Sequence, residues 1–304
     1  MIQKIVWLLL AVNISLAEAT HIDLKEYKVL KKQYKQNEIL HLVTRSFVKN
    51  GSKYYFVIDT KTLKTDILPF EDIDKKLKPI SKELFQTPFG KLLETATSQV
   101  ETGGLQRQTS NAQKALYLSM DMCPSLKEGY ENKILEQILT LQKRLPIGIA
   151  ITEKWVENHE KEFVKLAQNP NLDITWINHS KTHFYDKTLP LSENFLLHVG
   201  TKLKEEILDV EKMLLGKGLI PSVFFRFPGL IADENLMKEL RETYFLIPLG
   251  ADAWIAKEQK PKEGSIILIH GNKNEPKGIS MLSPMLPELL QRFNIEPLLR
   301  AFAE

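Results

Sequence analysis

The sequence predicts an α/β fold, in which a parallel sheet is either doubly wound or closed as a barrel and follows a small β-rich unit. From Ala115 onward, short apolar runs of strand length alternate with segments whose apolar residues recur at helical spacing. Polar residues and histidines come directly after several of these apolar runs. The first part of the chain instead carries a β-hairpin signal at Asn50-Gly51, two residues that tolerate positive φ.

Residues 1–19 are typical of a secretory signal peptide. Lys4 supplies the positive charge, an apolar run extends from Ile5 to Leu16, and Ala17-Glu18-Ala19 fits the small-x-small cleavage pattern. The run is shorter than the about 20 residues that span a bilayer, so an uncleaved anchor is the less favoured interpretation. We therefore expect a periplasmic or secreted protein without stable membrane insertion after cleavage.

Residues 20–85 are predicted to form the small β-rich unit. The apolar runs on either side of Asn50-Gly51 form the hairpin, and a third short strand is expected to end at Ile67-Leu68. About three strands bury little apolar surface alone, so the unit is expected to pack on its neighbour. Residues 86–111 are rich in Thr, Ser and Gln and are interpreted as a linker, with a short helix around Gly90–Thr97.

Residues 112–304 carry the repeated strand–helix units. The predicted strands are Ala115–Met120, Ile147–Ile151, Asp173–Ile177, Val223–Phe225, Phe245–Leu249 and Ile266–Ile269. The predicted helices cover Tyr130–Lys143, a segment from Trp155 to Leu166, Leu196–Leu215, Leu236–Leu240 and Pro287–Phe293. In either arrangement of a parallel sheet, chemistry is expected at the carboxyl ends of the strands.

The composition excludes several classes of protein. In 304 residues, 41 Lys and Arg oppose 38 Asp and Glu, and the net charge of +3 is evenly spread. That balance lacks the clustered positive charge of a nucleic-acid-binding domain. The single Cys excludes a disulfide framework, a Cys-based zinc finger and an iron–sulfur site, so the ligands of any metal are expected to be histidines and carboxylates.

Chemistry-bearing side chains stand where the predicted strands end. His179 and His183 are four residues apart, a spacing that on a helical turn places two imidazoles on one face, as a divalent metal requires. Surface or capping histidines are the alternative for this pair. The other residues at strand ends are Asp121, Arg226, Asp252, Trp254 and His270.

In this order, the segments resemble the motifs of the polysaccharide deacetylase (NodB-homology) family, carbohydrate esterase family 4. That family shows Thr-Phe-Asp-Asp-Gly, His-Ser/Thr-x-x-His, Arg-x-Pro, an Asp-and-Trp motif and Leu-x-His. The chain has Ser119-Met120-Asp121-Met122-Cys123-Pro124, His179-Ser180-Lys181-Thr182-His183, Arg226-Phe227-Pro228, Asp252-Ala253-Trp254 and Leu268-Ile269-His270. The resemblance covers about residues 112–300 and implies a distorted (β/α) barrel that removes N-acetyl groups from a glycan with the help of a divalent metal, with zinc favoured.

The resemblance also implies a role for each of these residues. His179 and His183 would be metal ligands, Asp121 the general base, and His270 the acid that protonates the departing amine. Arg226 would orient Asp121, and Asp252 would pair with His270. The acetyl pocket and the sugar platform would be lined by Trp254 and Leu268, and the backbone N–H of Gly229 would contribute to an oxyanion hole.

Two departures of the first motif from the family pattern bear on the metal site. Met122 stands where the family has the Asp that is its third metal ligand, and a thioether does not replace a carboxylate on zinc. On this alignment the metal is held by the two histidines and water or by Asp121, and a Met122→Asp variant is expected to gain metal affinity. Cys123 stands in the glycine position and is interpreted as a small space-filling residue.

Two other functions stay open at this point. One is a non-catalytic glycan-binding barrel that has lost its metal because of Met122. The other is a cysteine nucleophile, in which Cys123 acts with His179 or His270; it leaves the histidine pair and Arg226 without a role.

Overall fold

The computed structural model describes residues 24–107 and 113–302. The predicted signal peptide over residues 1–19 lies outside the described residues. An antiparallel sheet comes first, and a parallel sheet curled into a half-barrel follows. The predicted fold class, a distorted barrel with a small N-terminal β-rich unit, is confirmed. No helix in the described ranges is long and apolar enough to cross a membrane.

The N-terminal unit is a five-stranded antiparallel sheet in the order β4-β3-β2-β1-β5. Its strands are β1 (Leu24–Gln36), β2 (Ile39–Lys49), β3 (Ser52–Asp59), β4 (Thr65–Pro69) and β5 (Lys78–Pro79), with the short helix α1 (Phe70–Ile73) after β4. Asn50 and Gly51 have φ of +51° and +79° and connect β2 to β3, as the hairpin signal predicts. Strand β1 is not among the predicted strands, because Lys and Glu dominate its exposed positions and hide the alternation.

The segment interpreted as a linker contains an ordered helix, α2 (Pro88–Thr97). The Thr87 side chain accepts a hydrogen bond from the Gly90 amide and so caps the helix at its N-terminus. Phe89 and Leu93 are fully buried in the same apolar cluster as Leu249 of the barrel. Up to residue 107, this stretch therefore packs against both sheets instead of spanning solvent.

The parallel sheet has the strand order β10-β9-β8-β7-β6-β12-β11, and β13 pairs with the start of β6. The strands are β6 (Ala115–Met122), β7 (Leu145–Ile151), β8 (Leu172–Asn178), β9 (Phe224–Phe225), β10 (Ile247–Pro248), β11 (Ala253–Trp254), β12 (Ile266–His270) and β13 (Asn294–Ile295). The outermost strands, β10 and β11, are consecutive in the chain and are not paired with each other in the described sheet. The barrel is therefore open between them.

The helices on the outside of the sheet match the predicted units with shifted ends. They are α3 (Asn132–Leu141), α4 (Glu153–Asn158), α5 (Glu160–Ala167), α6 (Leu203–Gly216), α7 (Glu234–Glu239) and α8 (Pro276–Arg292). The predicted helix from Leu196 begins only at Leu203, because Phe195–Leu197 forms a separate 3-10 turn. The last helix starts eleven residues before its predicted start, with Pro276 in its first turn.

Alternation along β6 separates two layers of apolar core. Ala115 and Tyr117 point into the barrel and share a cluster with Leu268. Leu116, Leu118, Met120 and Met122 point outward into the layer between sheet and helices. Because successive side chains of a strand face opposite sides, Ser119, Asp121 and Cys123 belong to the inner face.

A buried ion pair fixes the N-terminal sheet to α6. Arg45 of β2 donates two hydrogen bonds of 2.8 Å to the Glu211 carboxylate, and both side chains are almost fully buried. Tyr27 of β1 donates to the same carboxylate at 2.8 Å, and Arg45 also donates to the Tyr244 carbonyl at 3.0 Å. The N-terminal unit thus packs on its neighbour, as expected.

Candidate active site

The carboxyl ends of the parallel strands surround a cavity of about 680 Å³. Asp121 from β6, His179 and His183 after β8, and His270 from β12 all line it. Register explains part of this convergence, since His270 pairs directly with Asp121 across β12 and β6. The structure therefore brings together the polar residues that follow separate strands in the sequence.

Asp121 is held by the guanidinium of Arg226. Both side chains are buried, and Arg226 Nη1 donates to Asp121 Oδ1 and to Ser119 Oγ at 2.8 Å each. Arg226 is fixed by further bonds to the carbonyls of Leu249 and Gly250. Burial raises the pKa of Asp121, but Arg226 and the nearby histidines outweigh it and hold that pKa below its usual range. Asp121 is thus an ionised carboxylate facing the cavity.

His179 and His183 come together on a loop, so the expected helical turn is wrong. Residues 179–186 form no helix, and Ser180 and His183 have φ of +69° and +47°. These left-handed residues bend the chain so that the two imidazole centroids lie 4.9 Å apart. The spacing indicated the pair correctly, but the local backbone differs from the prediction.

Helix α6 anchors this loop. The Glu206 carboxylate accepts hydrogen bonds from the Thr182 amide at 2.9 Å and the Thr182 hydroxyl at 2.6 Å. Lys181 Nζ lies 2.6 Å from the Asp209 carboxylate. The helix that binds Arg45 through Glu211 therefore also positions the histidine loop.

The hydrogen bonding of His179 defines its free nitrogen. Nδ1 lies 2.8 Å from the Arg226 carbonyl oxygen, which can only accept, so Nδ1 carries the proton. Nε2 is the ring nitrogen that remains, 3.5 Å from Cys123 Sγ and 3.8 Å from Asp121 Oδ2. This is how proteins orient a metal-binding histidine, with the second ring nitrogen held by a carbonyl.

Cys123 lies beside the histidine pair, whereas Met122 does not. Ligand atoms of Cys123, His179 and His183 all lie within 4.8 Å of one another, a grouping that could hold a metal ion. Burial raises the pKa of the Cys123 thiol, but the surrounding His183, His179 and His270 outweigh it and hold that pKa well below its ordinary value. A match of single positions to the family motif does not show this grouping, because it is the alternation along β6 that places Cys123 on the same face as Asp121.

Met122 is fully buried on the other side of the strand. Its side chain packs in the outer layer with Met120, and a Cβ at Gly271 would overlap the Sδ atoms of both. The expectation that the ligands of any metal are histidines and carboxylates stays a prediction, but the donor group found in the described residues includes a Cys.

His270 is paired with Glu275, so the expected pairing with Asp252 is not made. Glu275 Oε2 lies 2.7 Å from His270 Nδ1 and accepts a hydrogen bond from Trp254 Nε1 at 2.9 Å. Burial lowers the pKa of His270, but Cys123, Glu275 and Asp121 raise it well above its usual value. Asp252 instead accepts bonds from Ser265 Oγ at 2.6 Å and the Ile266 amide at 2.9 Å. Its carboxylate holds the start of β12.

Apolar side chains line the rest of the cavity. The half-buried Trp254 ring lies 5.7 Å from the His270 ring, centroid to centroid, and Lys257 Nζ lies 3.6 Å from the indole centroid. The buried Leu268 and the more than half-exposed Tyr185 and Leu191 also line the cavity. Gly229 has φ of +63°, and a Cβ there would come 2.6 Å from the Phe195 ring. The cavity is thus open, with aromatic faces on its walls.

Comparison with solved structures identifies this architecture, whereas no protein family model matches the chain. A peptidoglycan N-acetylglucosamine deacetylase has a TM-score of 0.50 and 20% sequence identity, over 68% of this chain and 97% of that one. The chain has the fold of the family 4 carbohydrate esterases.

Two further solved structures carry the name of that family. A family 4 carbohydrate esterase from Bacillus anthracis has a TM-score of 0.49 and 20% identity over 73% of this chain and 92% of that one. A family 4 pseudoenzyme from Bacillus anthracis has a TM-score of 0.44 and 13% identity over 94% of this chain and 91% of that one. Identities this low concern the fold alone, so activity is argued below from the residues that line the cavity.

Proposed function

We propose that this protein is an exported, metal-dependent hydrolase that removes N-acetyl groups from a glycan. The observation that carries the proposal is a base and an acid that face one cavity beside a cluster of metal donors. Asp121 is held as a carboxylate, His270 as an imidazolium, and His179 with His183 lies at the same cavity. Export rests on the signal-peptide pattern of residues 1–19.

The residues of the cavity fit a divalent cation. His179 Nε2, the ring nitrogen that does not contact the Arg226 carbonyl, belongs to the cluster formed with His183 and Cys123. Imidazole and thiolate donors suit zinc, and a catalytic zinc site typically has three protein ligands and one open position. When bound, such a cation polarises the acetamide carbonyl and lowers the pKa of water to about 7.

Side chains of this protein carry out the proton transfers of the reaction. Asp121 accepts the proton of the attacking water, and Arg226 keeps its carboxylate oriented through the bond to Oδ1. His270 donates a proton to the departing nitrogen, because an amine does not leave as an anion. Glu275 holds the His270 ring and favours its protonated state.

The cavity walls suit a sugar. Trp254 and Tyr185 offer aromatic faces on which a pyranose ring can lie, and Leu268 with Gly229 borders the space for the acetyl group. A near-neutral, evenly charged chain also suits a neutral glycan better than a polyanion. We propose N-acetylglucosamine in peptidoglycan or in another polysaccharide as the substrate.

Acetate release tests this function. The mature protein is incubated with N-acetylglucosamine oligomers and with peptidoglycan, with added zinc or cobalt, and acetate is measured enzymatically. We expect release with wild type and loss of about 100-fold or more in the His270→Asn and Asp121→Asn variants, because each removes a proton-transfer group. A metal-loaded wild-type sample that releases no acetate from any of these glycans contradicts the proposal.

The two other functions have less support than at the sequence level. The non-catalytic glycan-binding barrel was motivated by the missing carboxylate at Met122, and Cys123 now offers a donor in its place. The cysteine nucleophile shares Cys123 and His179 with the metal site. Acetate release that persists in a Cys123→Ala variant without any metal would exclude a role for the thiol in either form.

A further inference from the structure

The thiol of Cys123 lies where the metal site lacks a carboxylate. We propose that Cys123 is the third protein ligand, so that the centre combines one thiolate with the imidazoles of His179 and His183. The inference rests on the proposed function, because it concerns the cation that deacetylation would use.

The backbone of β6 decides which residue can reach the site. Asp121 and Cys123 are two residues apart and face the cavity, whereas Met122 points into the outer apolar layer. The chain therefore cannot supply a ligand from position 122 without reversing the strand. The next inward-facing position is 123.

The distances place the sulfur among the imidazole nitrogens. Cys123 Sγ lies 3.5 Å from His179 Nε2, and the cluster with His183 is within 4.8 Å throughout. His179 Nδ1 is occupied by the Arg226 carbonyl, so Nε2, which lies beside the sulfur, is the nitrogen available to a cation. Cys123 is 7% exposed and lines the cavity, which leaves one open side toward the substrate.

Charge also favours the thiolate as the third donor. Asp121 Oδ1 is bound to Arg226, and the donor cluster found among the described residues contains no carboxylate. Without Cys123, the donors of that cluster would be two imidazoles. A thiolate supplies one negative charge to the cation.

Sulfur at this position sets the metal preference. Thiolate and imidazole donors favour zinc and cobalt over magnesium, calcium and manganese, which prefer oxygen. We therefore expect zinc and cobalt to bind in excess calcium and magnesium.

Cobalt tests the assignment directly, because the chain has a single Cys and any thiolate signal belongs to Cys123. The metal-free protein is titrated with cobalt and its near-ultraviolet spectrum is recorded. We expect a thiolate-to-cobalt charge-transfer band in wild type and no such band in Cys123→Ser. Cobalt should bind to that variant more than about 100-fold more weakly, a larger loss of affinity than is usual when a residue that only supports a metal ligand is replaced. Cys123→Asp is expected to bind cobalt without the band, and Met122→Leu to match wild type.

Alkylation supplies a second measurement. Iodoacetamide is expected to modify Cys123 at least about tenfold more slowly in the cobalt-loaded protein. A cobalt complex without the band, cobalt binding by Cys123→Ser as tight as by wild type, or equal alkylation rates with and without metal would each overturn the assignment.

Acetate assays on the same samples separate the two proposals. A charge-transfer band in a protein that releases no acetate supports the ligand and contradicts the activity. Undiminished acetate release by cobalt-loaded Cys123→Ser supports the activity and contradicts the ligand.

Discussion

Met122→Asp is the most informative single substitution, because sequence alignment and structure predict opposite results. The alignment with the family motif places a metal-binding Asp at this position, so the variant should bind metal more tightly. The structure places the side chain in the outer apolar layer, fully buried beside Met120. A carboxyl group there meets methionine sulfur and hydrocarbon instead of the metal site.

The expected loss of stability follows from burial. Giving up a fully buried Met side chain costs about 2–3 kcal/mol of apolar burial. A neutral carboxyl group without a hydrogen-bond partner adds about 1–3 kcal/mol, and an ionised one costs more, so the group stays protonated. The variant should lose about 3–6 kcal/mol, a large share of the roughly 5–15 kcal/mol that stabilises a typical domain.

Urea unfolding, followed by tryptophan fluorescence, measures this loss. Met122→Leu is the matched control, since a volume-conserving apolar change costs less than about 1.5 kcal/mol. Metal affinity of both variants is measured by equilibrium dialysis under conditions in which they are folded. A Met122→Asp protein that unfolds at the wild-type urea concentration and binds zinc more tightly would refute the orientation of this side chain.

Three other results are expected. Glu275→Gln should lower kcat about 10–100-fold and shift the alkaline limb of the pH–kcat profile to lower pH, since Glu275 raises the pKa of His270 and activity is lost above that pKa. Asp252→Asn is the control and should leave the alkaline limb in place. An unmoved alkaline limb in Glu275→Gln would exclude the pairing of Glu275 with His270. Glu211→Gln should lower the free energy of unfolding, measured in urea, by about 3–5 kcal/mol, because it leaves Arg45 buried without its charged partner. A loss below about 1 kcal/mol, which is typical of an exposed ion pair, would contradict this expectation. The difference in unfolding free energy between wild type and Asp121→Asn should narrow as pH falls below about 4. The pKa of Asp121 is lowered in the folded state, so the stability that its carboxylate contributes is lost as pH falls through that pKa. A difference that widens in acid would argue against an ionised carboxylate.

Whether a strand or helix could be predicted depends on how local its sequence signal is. The hairpin at Asn50-Gly51 depends on two adjacent residues that accept positive φ, and the inner strands are short apolar runs, so both were predictable. Strand β1 was missed because its buried positions are diluted by Lys and Glu. Helix α6 began late because Phe195–Leu197 forms its own turn against the histidine loop.

For the candidate site, the sequence by itself determined the residue types and their places at strand ends: Asp121, the histidine pair, Arg226 and His270. Their order in the chain carries this information because parallel strands bring their carboxyl ends to one edge. Only the tertiary structure decided the partners, since these depend on side-chain direction and on segments distant in sequence. Glu275 takes the place expected for Asp252 because Asp252 is turned toward Ser265, and Cys123 rather than Met122 meets the histidines because a strand presents alternate residues to its two faces.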